Sequence, residues 1–169
     1  MASIIELTPK KNMRIREVVA EDKNDLLTLL EATGVFKDYE IAVAKEVLEA
    51  SLNSASDYHS FCYTNEENRA IGYVCWGPTP CTDGTYDLYW IAVHPHVQGN
   101  GAGKKLLQFA EDRARDEGAR LMIIETSSVS DYENTRAFYT HSGYKQLALI
   151  SDFYRPGDHK IIYGKNFIS

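Results

Sequence analysis

The residues with the most chemical content fall in two clusters. The first runs from Ile91, Ala92 and Val93 through His94 and Pro95 to Gln98, Gly99, Asn100, Gly101, Ala102, Gly103 and Lys104. It reads as a buried strand, a short turn, a glycine-rich loop and the start of a helix. Backbone N–H groups at a helix N-terminus attract an anion such as a pyrophosphate. Glycines at alternate positions allow positive φ and let the chain approach a ligand with no Cβ in the way. The second cluster holds Asn134, Ala137, Phe138, Tyr139, Gly143 and Tyr144. The phenol of Tyr139, with an ordinary pKa near ~10, is protonated at neutral pH and can donate to a departing anion. Two carboxylates could take a proton through water: Glu125, at the end of a nearly continuous apolar run, and Asp87, four residues before Ile91. Each feature also has a plain structural reading. The glycines suit a strand-to-helix turn, Phe138 and Tyr139 suit helix packing, Asn134 suits a helix N-cap, and strand-end carboxylates bond backbone amides.

Two common phosphate motifs are excluded by position. A P-loop ending at Gly103-Lys104 needs Gly at 98 and Ser or Thr at 105, where this chain has Gln98 and Lys105. A dinucleotide fingerprint through Gly99 and Gly101 needs a third Gly at 104, where Lys104 stands. What remains is Gln98-x-x-Gly101-x-Gly103, followed later by Asn134-x-x-Ala137-Phe138-Tyr139-x-x-x-Gly143-Tyr144. In that order, with strands between, these segments resemble the coenzyme A loop and the later segment of the GNAT (Gcn5-related N-acetyltransferase) superfamily.

The resemblance covers essentially the whole chain and implies specific roles. Backbone amides across residues 98–104 would hold the pyrophosphate of acetyl-CoA. The strand end at Ile91, Ala92 and Val93 would splay from its neighbour and pair with the pantetheine arm, an N–H near Ile91 or Ala92 acting as oxyanion donor. Asn134 would contact the pantetheine or pyrophosphate region. Tyr139 would protonate the departing thiolate, and Glu125 or Asp87 would be the base. The implied activity is direct transfer of an acetyl group to a primary amine of a small molecule or protein. The alternative is a non-catalytic acyl-CoA-binding sensor or regulatory module. No cysteine sits in a motif that would make it a covalent carrier.

The 169 residues suit a single domain from residue 12 onward behind a leader over residues 1–11. The three cysteines have no metal-like spacing and read as reduced thiols of a cytoplasmic protein. The histidines give no clear metal site, so no metal is expected. No apolar run approaches a membrane span. The net charge of −6 argues against nucleic acid as a partner and leaves monomer and homodimer open. Acidic residues at 38, 40, 87, 125 and 152 fall where the acceptor should enter, which predicts a positively charged amine. Phe36, Tyr39 and Tyr154 are candidates to reach the same groove.

Apolar periodicity supplies the elements that must position these groups. Strands are expected at residues 13–18, 58–63, 70–76, 86–93, 120–126, 144–151 and 160–167, and helices at 21–32, 38–52, 103–117 and 134–141. The order βααβββαβαββ is an α/β fold, a GNAT-like mixed central sheet with helices on both faces.

Overall fold

The computed structural model describes residues 14–53 and 55–168, so the leader expected over residues 1–11 lies outside the described residues. Strands β1 (Arg14–Glu17), β2 (His59–Thr64), β3 (Ala70–Pro78), β4 (Thr85–Val93), β5 (Leu121–Ser127), β6 (Lys145–Arg155) and β7 (Asp158–Asn166) form one sheet in the order β1-β2-β3-β4-β5-β7-β6. All neighbours are antiparallel except β4 and β5. Helices α1 (Lys23–Ala32), α2 (Asp38–Ser51), α3 (Ala102–Asp116) and α4 (Glu133–His141) complete the expected βααβββαβαββ order.

The two faces of the sheet bury separate sets of side chains. On one, Phe61, Tyr63, Val74, Trp76 and Leu88 pack with Leu106, Leu107 and Ala110 of α3 and with Tyr139 of α4. On the other, Cys62, Tyr73 and Cys75 meet Leu26 of α1 and Leu48 of α2. Alternation along β2 and β3 sends neighbouring residues to opposite helix layers, as the two-residue period of a strand requires. In α3, Ala102, Leu106, Ala110 and Ala114 recur every four residues and are buried, which makes one continuous stripe against the sheet.

Among the boundaries that differ from expectation, two have clear local reasons. The helix expected at residue 21 is preceded by a 3₁₀ turn over Ala20–Asp22. Asp22 holds this turn by accepting from the Val19 N–H at 2.9 Å and from Arg16 at 2.7 and 2.9 Å. Strand β6 continues to Arg155, four residues beyond the expected end at 151, because Arg155 still pairs with Asp158 across the hairpin. That extension carries Tyr154 to the functional end of the sheet.

Lys165 on β7 ties three elements together. Its ammonium donates to both Glu111 oxygens of α3, at 3.0 and 2.8 Å, and to the Ser142 carbonyl beyond α4, at 3.1 Å. Glu111 is 1% exposed, so its charge depends on this partner and on Arg115 at 3.4 Å. Lys165→Met should therefore destabilise the fold by about 3 kcal/mol in urea unfolding, while removing the exposed Lys23 partner of Glu49 should have little effect. Equal small effects would contradict the clamp.

Candidate active site

β4 and β5 run side by side only briefly. Their pairing joins residues 85–87 to residues 121–123 and then ends. Beyond it β4 stays with β3 through Val93 and β5 stays with β7 through Ser127. The space between them widens into a cleft of about 920 Å³.

A bulge in β4 sets what faces this cleft. Cys75 lies opposite Trp90 but Trp76 lies opposite Leu88, so Tyr89 is the extra residue. The insertion reverses the face of everything that follows. Leu88, Ile91 and Val93 all pack toward α3, while Trp90 and Ala92 pack toward α1 and α2. It also fixes the direction of the amides. The His94 N–H donates to the Ile71 carbonyl at 2.9 Å. Bonded and non-bonded pairs alternate along an antiparallel ladder. By that alternation the N–H groups of Trp90 and Ala92 point to β3, and those of Ile91 and Val93 point into the cleft. Of the two amides considered as oxyanion donors, Ile91 is free to act and Ala92 is committed to the sheet. The Val93 carbonyl, turned the same way as its N–H, accepts from the Gln98 side chain at 2.9 Å.

At one end of the cleft lies the glycine loop. Gly99 and Gly101 have φ of 78° and 79°, and Gly101 is the N-cap of α3. An added Cβ at either would meet nothing within 4 Å, so the requirement for glycine here is backbone conformation. The first α3 bond runs from the Lys105 N–H to the Gly101 carbonyl at 3.0 Å. The N–H groups of residues 102–104 thus have no partner within the helix and open toward the cleft that all three residues line. Lys104 adds a positive charge, and no acidic residue occupies the first turn of α3. The arrangement can hold a di-anion such as a pyrophosphate. A Cβ added at Gly103 would stand in ordinary contact with Phe138 at 3.6 Å and Val93 at 3.7 Å, so space alone does not require glycine there.

Tyr139 projects from α4 into the same space and is 5% exposed. Burial holds its phenol above the ordinary value, which keeps the proton on. Phe138, at 5.5 Å between ring centroids, packs beside it. The helix starts one residue before Asn134, and Tyr132 is its N-cap. Asn134 is therefore not a cap; it stands exposed on the cleft wall. The segment before α4 is pinned by Arg136, which donates to the Ser127 and Val129 carbonyls at 2.7 and 2.8 Å.

The two carboxylates separate. Glu125 lines the cleft and bonds Lys160 of β7 at 2.6 Å. Asp87 lies beneath the point where the strands part and is not among the lining residues; it accepts from the Thr79 hydroxyl at 2.6 Å. Burial raises the Asp87 pKa, the Thr79 bond opposes that, and the negative Glu125 adds to it.

The acidic groove expected from sequence is largely neutralised. Of residues 38, 40, 87, 125 and 152, only Glu40 and Glu125 line the cleft. Glu40 accepts from the Lys37 N–H at 2.8 Å and from the Tyr132 hydroxyl at 2.8 Å. Asp152 is turned into the β6–β7 hairpin, where it accepts from the Gly157 N–H at 2.8 Å. Other carboxylates of the cleft are also paired, Asp131 with Lys37 at 3.0 Å and Asp158 with Arg155 at 3.5 Å. The expectation of a positively charged amine therefore rests on Glu40 and Glu125 alone. Sequence reading missed Tyr89, Trp90, Tyr132 and Lys160, since a bulge and a cross-strand salt bridge leave no periodic mark. It did single out Phe36, Tyr39 and Tyr154, and all three line the cleft.

This geometry agrees with comparisons to known proteins. The sequence profile of the acetyltransferase (GNAT) family matches residues 24–144. A candidate GNAT-family acetyltransferase from Desulfovibrio desulfuricans superposes with a TM-score of 0.87 at 41% identity, over 91% of this chain and 98% of that one. The PaiA N-acetyltransferase from Thermoplasma acidophilum, solved in complex with coenzyme A, shares the fold with a TM-score of 0.73 at 17% identity, over 92% of this chain and 99% of that one. The S-(2-succino)cysteine N-acetyltransferase of Bacillus subtilis is 26% identical over 78% of this chain and 83% of its own length. The amino-acid acetyltransferase of Pseudomonas syringae pv. syringae is 27% identical over 73% of this chain, which spans only 27% of that enzyme's length. With the profile matching most of its length, the chain belongs to the acetyltransferase (GNAT) family.

Proposed function

We propose that the chain is an acetyl-CoA-dependent N-acetyltransferase that moves the acetyl group directly to a primary amine of a small molecule or protein. The observation that carries this reading is the single cleft that joins an anion-binding helix terminus, a strand edge with free amides and a buried phenol. Residues 99–104 bind the pyrophosphate through backbone N–H groups, the Gln98 N–H being taken by the Pro95 carbonyl at 3.3 Å, and Lys104 adds charge. Ile91 and Val93 offer N–H groups to the pantetheine arm as a neighbouring strand would, with Ala92 between them as part of the wall. Asn134 contacts the same arm from α4.

In the transfer step the amine nitrogen forms a bond to the thioester carbonyl carbon. The Ile91 N–H donates to the oxygen that gains negative charge. As the C–S bond breaks, Tyr139 gives its proton to the sulfur. Burial raises its pKa, which keeps the phenol in the protonated form that donation requires. The amine's surplus proton passes through water to Glu125, whose carboxylate Lys160 anchors. Asp87, set back from the cleft, is the weaker candidate for the base. Relatives named for acetylating amino acids and S-(2-succino)cysteine support a small-molecule acceptor. A cytoplasmic setting is supported by Cys62, Cys75 and Cys81 all being free. No helix among the described residues is long and apolar enough to cross a membrane.

Acetyl-CoA at ~100 times its dissociation constant should stabilise the fold by roughly 2.7 kcal/mol in a thermal-shift titration. Gly101→Asn tolerates the positive φ and should keep most of that shift, whereas Gly101→Asp places a carboxylate at the anion site and should abolish it. Equal shifts in the two variants would remove the loop from the pyrophosphate site.

Tyr139→Phe should lower kcat by ~10²–10⁴-fold with little change in acetyl-CoA affinity. Glu125→Gln should flatten the acidic limb of the pH–rate profile, and Asp87→Asn should leave that limb in place. A Tyr139→Phe enzyme within a few-fold of the parent, with chemistry limiting the rate, would return the ring to a packing role.

A further inference from the structure

The acceptor end of the cleft is walled by aromatic rings, several of them exposed and others packed at the edge of the core. Helix α2 carries two apolar stripes. Ala44 and Leu48 are buried against the rest of the protein, whereas Tyr39 and Val43, also four apart, are 67% and 49% exposed and face the cleft. Tyr154 on β6 and the bulged Tyr89 on β4 are exposed there as well. Phe36 and Trp90 meet edge to face with centroids 5.3 Å apart and make a fixed apolar floor. Tyr132 closes the opposite wall, its hydroxyl held by Glu40. Tyr39, Tyr132 and Tyr154, from three separate elements, line the same cleft.

Aromatic surface gathered in a concave site marks a place where apolar contact with a ligand recovers free energy that folding leaves unused. Most of the charges beside it are paired, Glu125 with Lys160, Asp131 with Lys37 and Asp158 with Arg155, which leaves Glu40, bonded to the Lys37 N–H and the Tyr132 hydroxyl, as the carboxylate there that matches one ammonium group. No carboxylate of those pairs is free to hold the additional ammonium groups of a polyamine or an aminosugar.

We propose that the acceptor is a primary amine carried one short chain away from an aromatic ring. The ring lies among Tyr39, Trp90 and Tyr154 in offset or edge-to-face contact, and the amine reaches past Tyr89 toward the Ile91 amide. This rests on the acetyltransferase reading and deepens it. An arylalkylamine and an aromatic amino acid share the chemistry, and the test separates them.

The full chain is assayed with acetyl-CoA against phenethylamine, phenylalanine, propylamine, alanine, spermidine and kanamycin. Either phenethylamine over propylamine or phenylalanine over alanine should show a kcat/KM advantage of at least about tenfold, and the pair that responds identifies the source. Spermidine and kanamycin should fall below the better aromatic amine. Tyr39→Ala and Tyr154→Ala should each raise KM for that amine by about tenfold while KM for acetyl-CoA stays the same. Preference for an aliphatic or polycationic amine overturns the proposal, as does an equal loss for every amine in both variants. If no amine is turned over, calorimetric titration of phenethylamine and phenylalanine into CoA-saturated protein decides, and binding of neither overturns it. Failure of acetyl-CoA itself to bind would instead overturn the acetyltransferase reading, and this proposal with it.

Discussion

The parting of β4 from β5 after Asp87 is the constraint on which the rest depends. A parallel pair kept together to its end would bond every amide of β4 and leave no cleft. Here the ladder stops at residue 87, and the β4 segment beyond it has a neighbour on one side only. Strand-edge amides that lack a neighbouring strand can form a ladder with another extended chain, so the free edge suits any such chain that can pair with it. The bulge at Tyr89 does the rest. It places Ile91 and Val93 amides on the open side and moves Trp90 and Ala92 to the opposite layer. Backbone geometry thus leaves a free edge that suits the proposed cofactor pairing and oxyanion donor, and the side chains at those positions remain ordinary core.

A cleft in the middle of a sheet has to be held open by its surroundings. The interactions that do so differ in weight. Lys165 links β7, α3 and the end of α4 through a carboxylate that is almost fully buried, so it fixes the glycine-loop helix relative to the helix that carries Tyr139. Arg136 pins the segment between β5 and α4 by two carbonyls. Across the cleft, the Tyr132–Glu40 bond joins that segment to α2. The Lys37–Asp131 pair spans the same gap but is exposed at both ends, and such pairs contribute little. The cofactor side is therefore rigidly set, while the acceptor side is closed mainly by one hydrogen bond and by exposed rings.

How far the sequence revealed this depends on what kind of signal each part leaves. Element order was legible throughout, because α3 repeats an apolar residue every four positions and β5 is nearly continuous in apolar side chains. The glycine loop was legible because Gly99 and Gly101 mark a backbone conformation other residues avoid. Tyr139 was legible only through its place in a family pattern; nothing in its type distinguishes it from Tyr144 or Tyr163. The bulge was not legible, since Tyr89, Trp90 and Ile91 are three large apolar residues in a row and any alternation fits them. Without the bulge, Ala92 and Ile91 look equally free. Asn134 looked like a cap because the helix start was placed one residue late. The acidic groove failed for a different reason. A count of carboxylates near an opening carries no information about their partners, and Lys37, Arg155 and Lys160 come from distant parts of the chain.

The most direct measurement is residue-resolved amide protection and chemical shift across β4, in the free protein and with CoA bound. In the free protein the amides of Trp90 and Ala92 should be protected by β3 and those of Ile91 and Val93 should exchange rapidly. On CoA binding, Ile91 and Val93 should gain protection and shift, and Trp90 and Ala92 should change little. Equal protection of all four amides without CoA, or no response at Ile91 and Val93 when CoA is bound, would contradict the account.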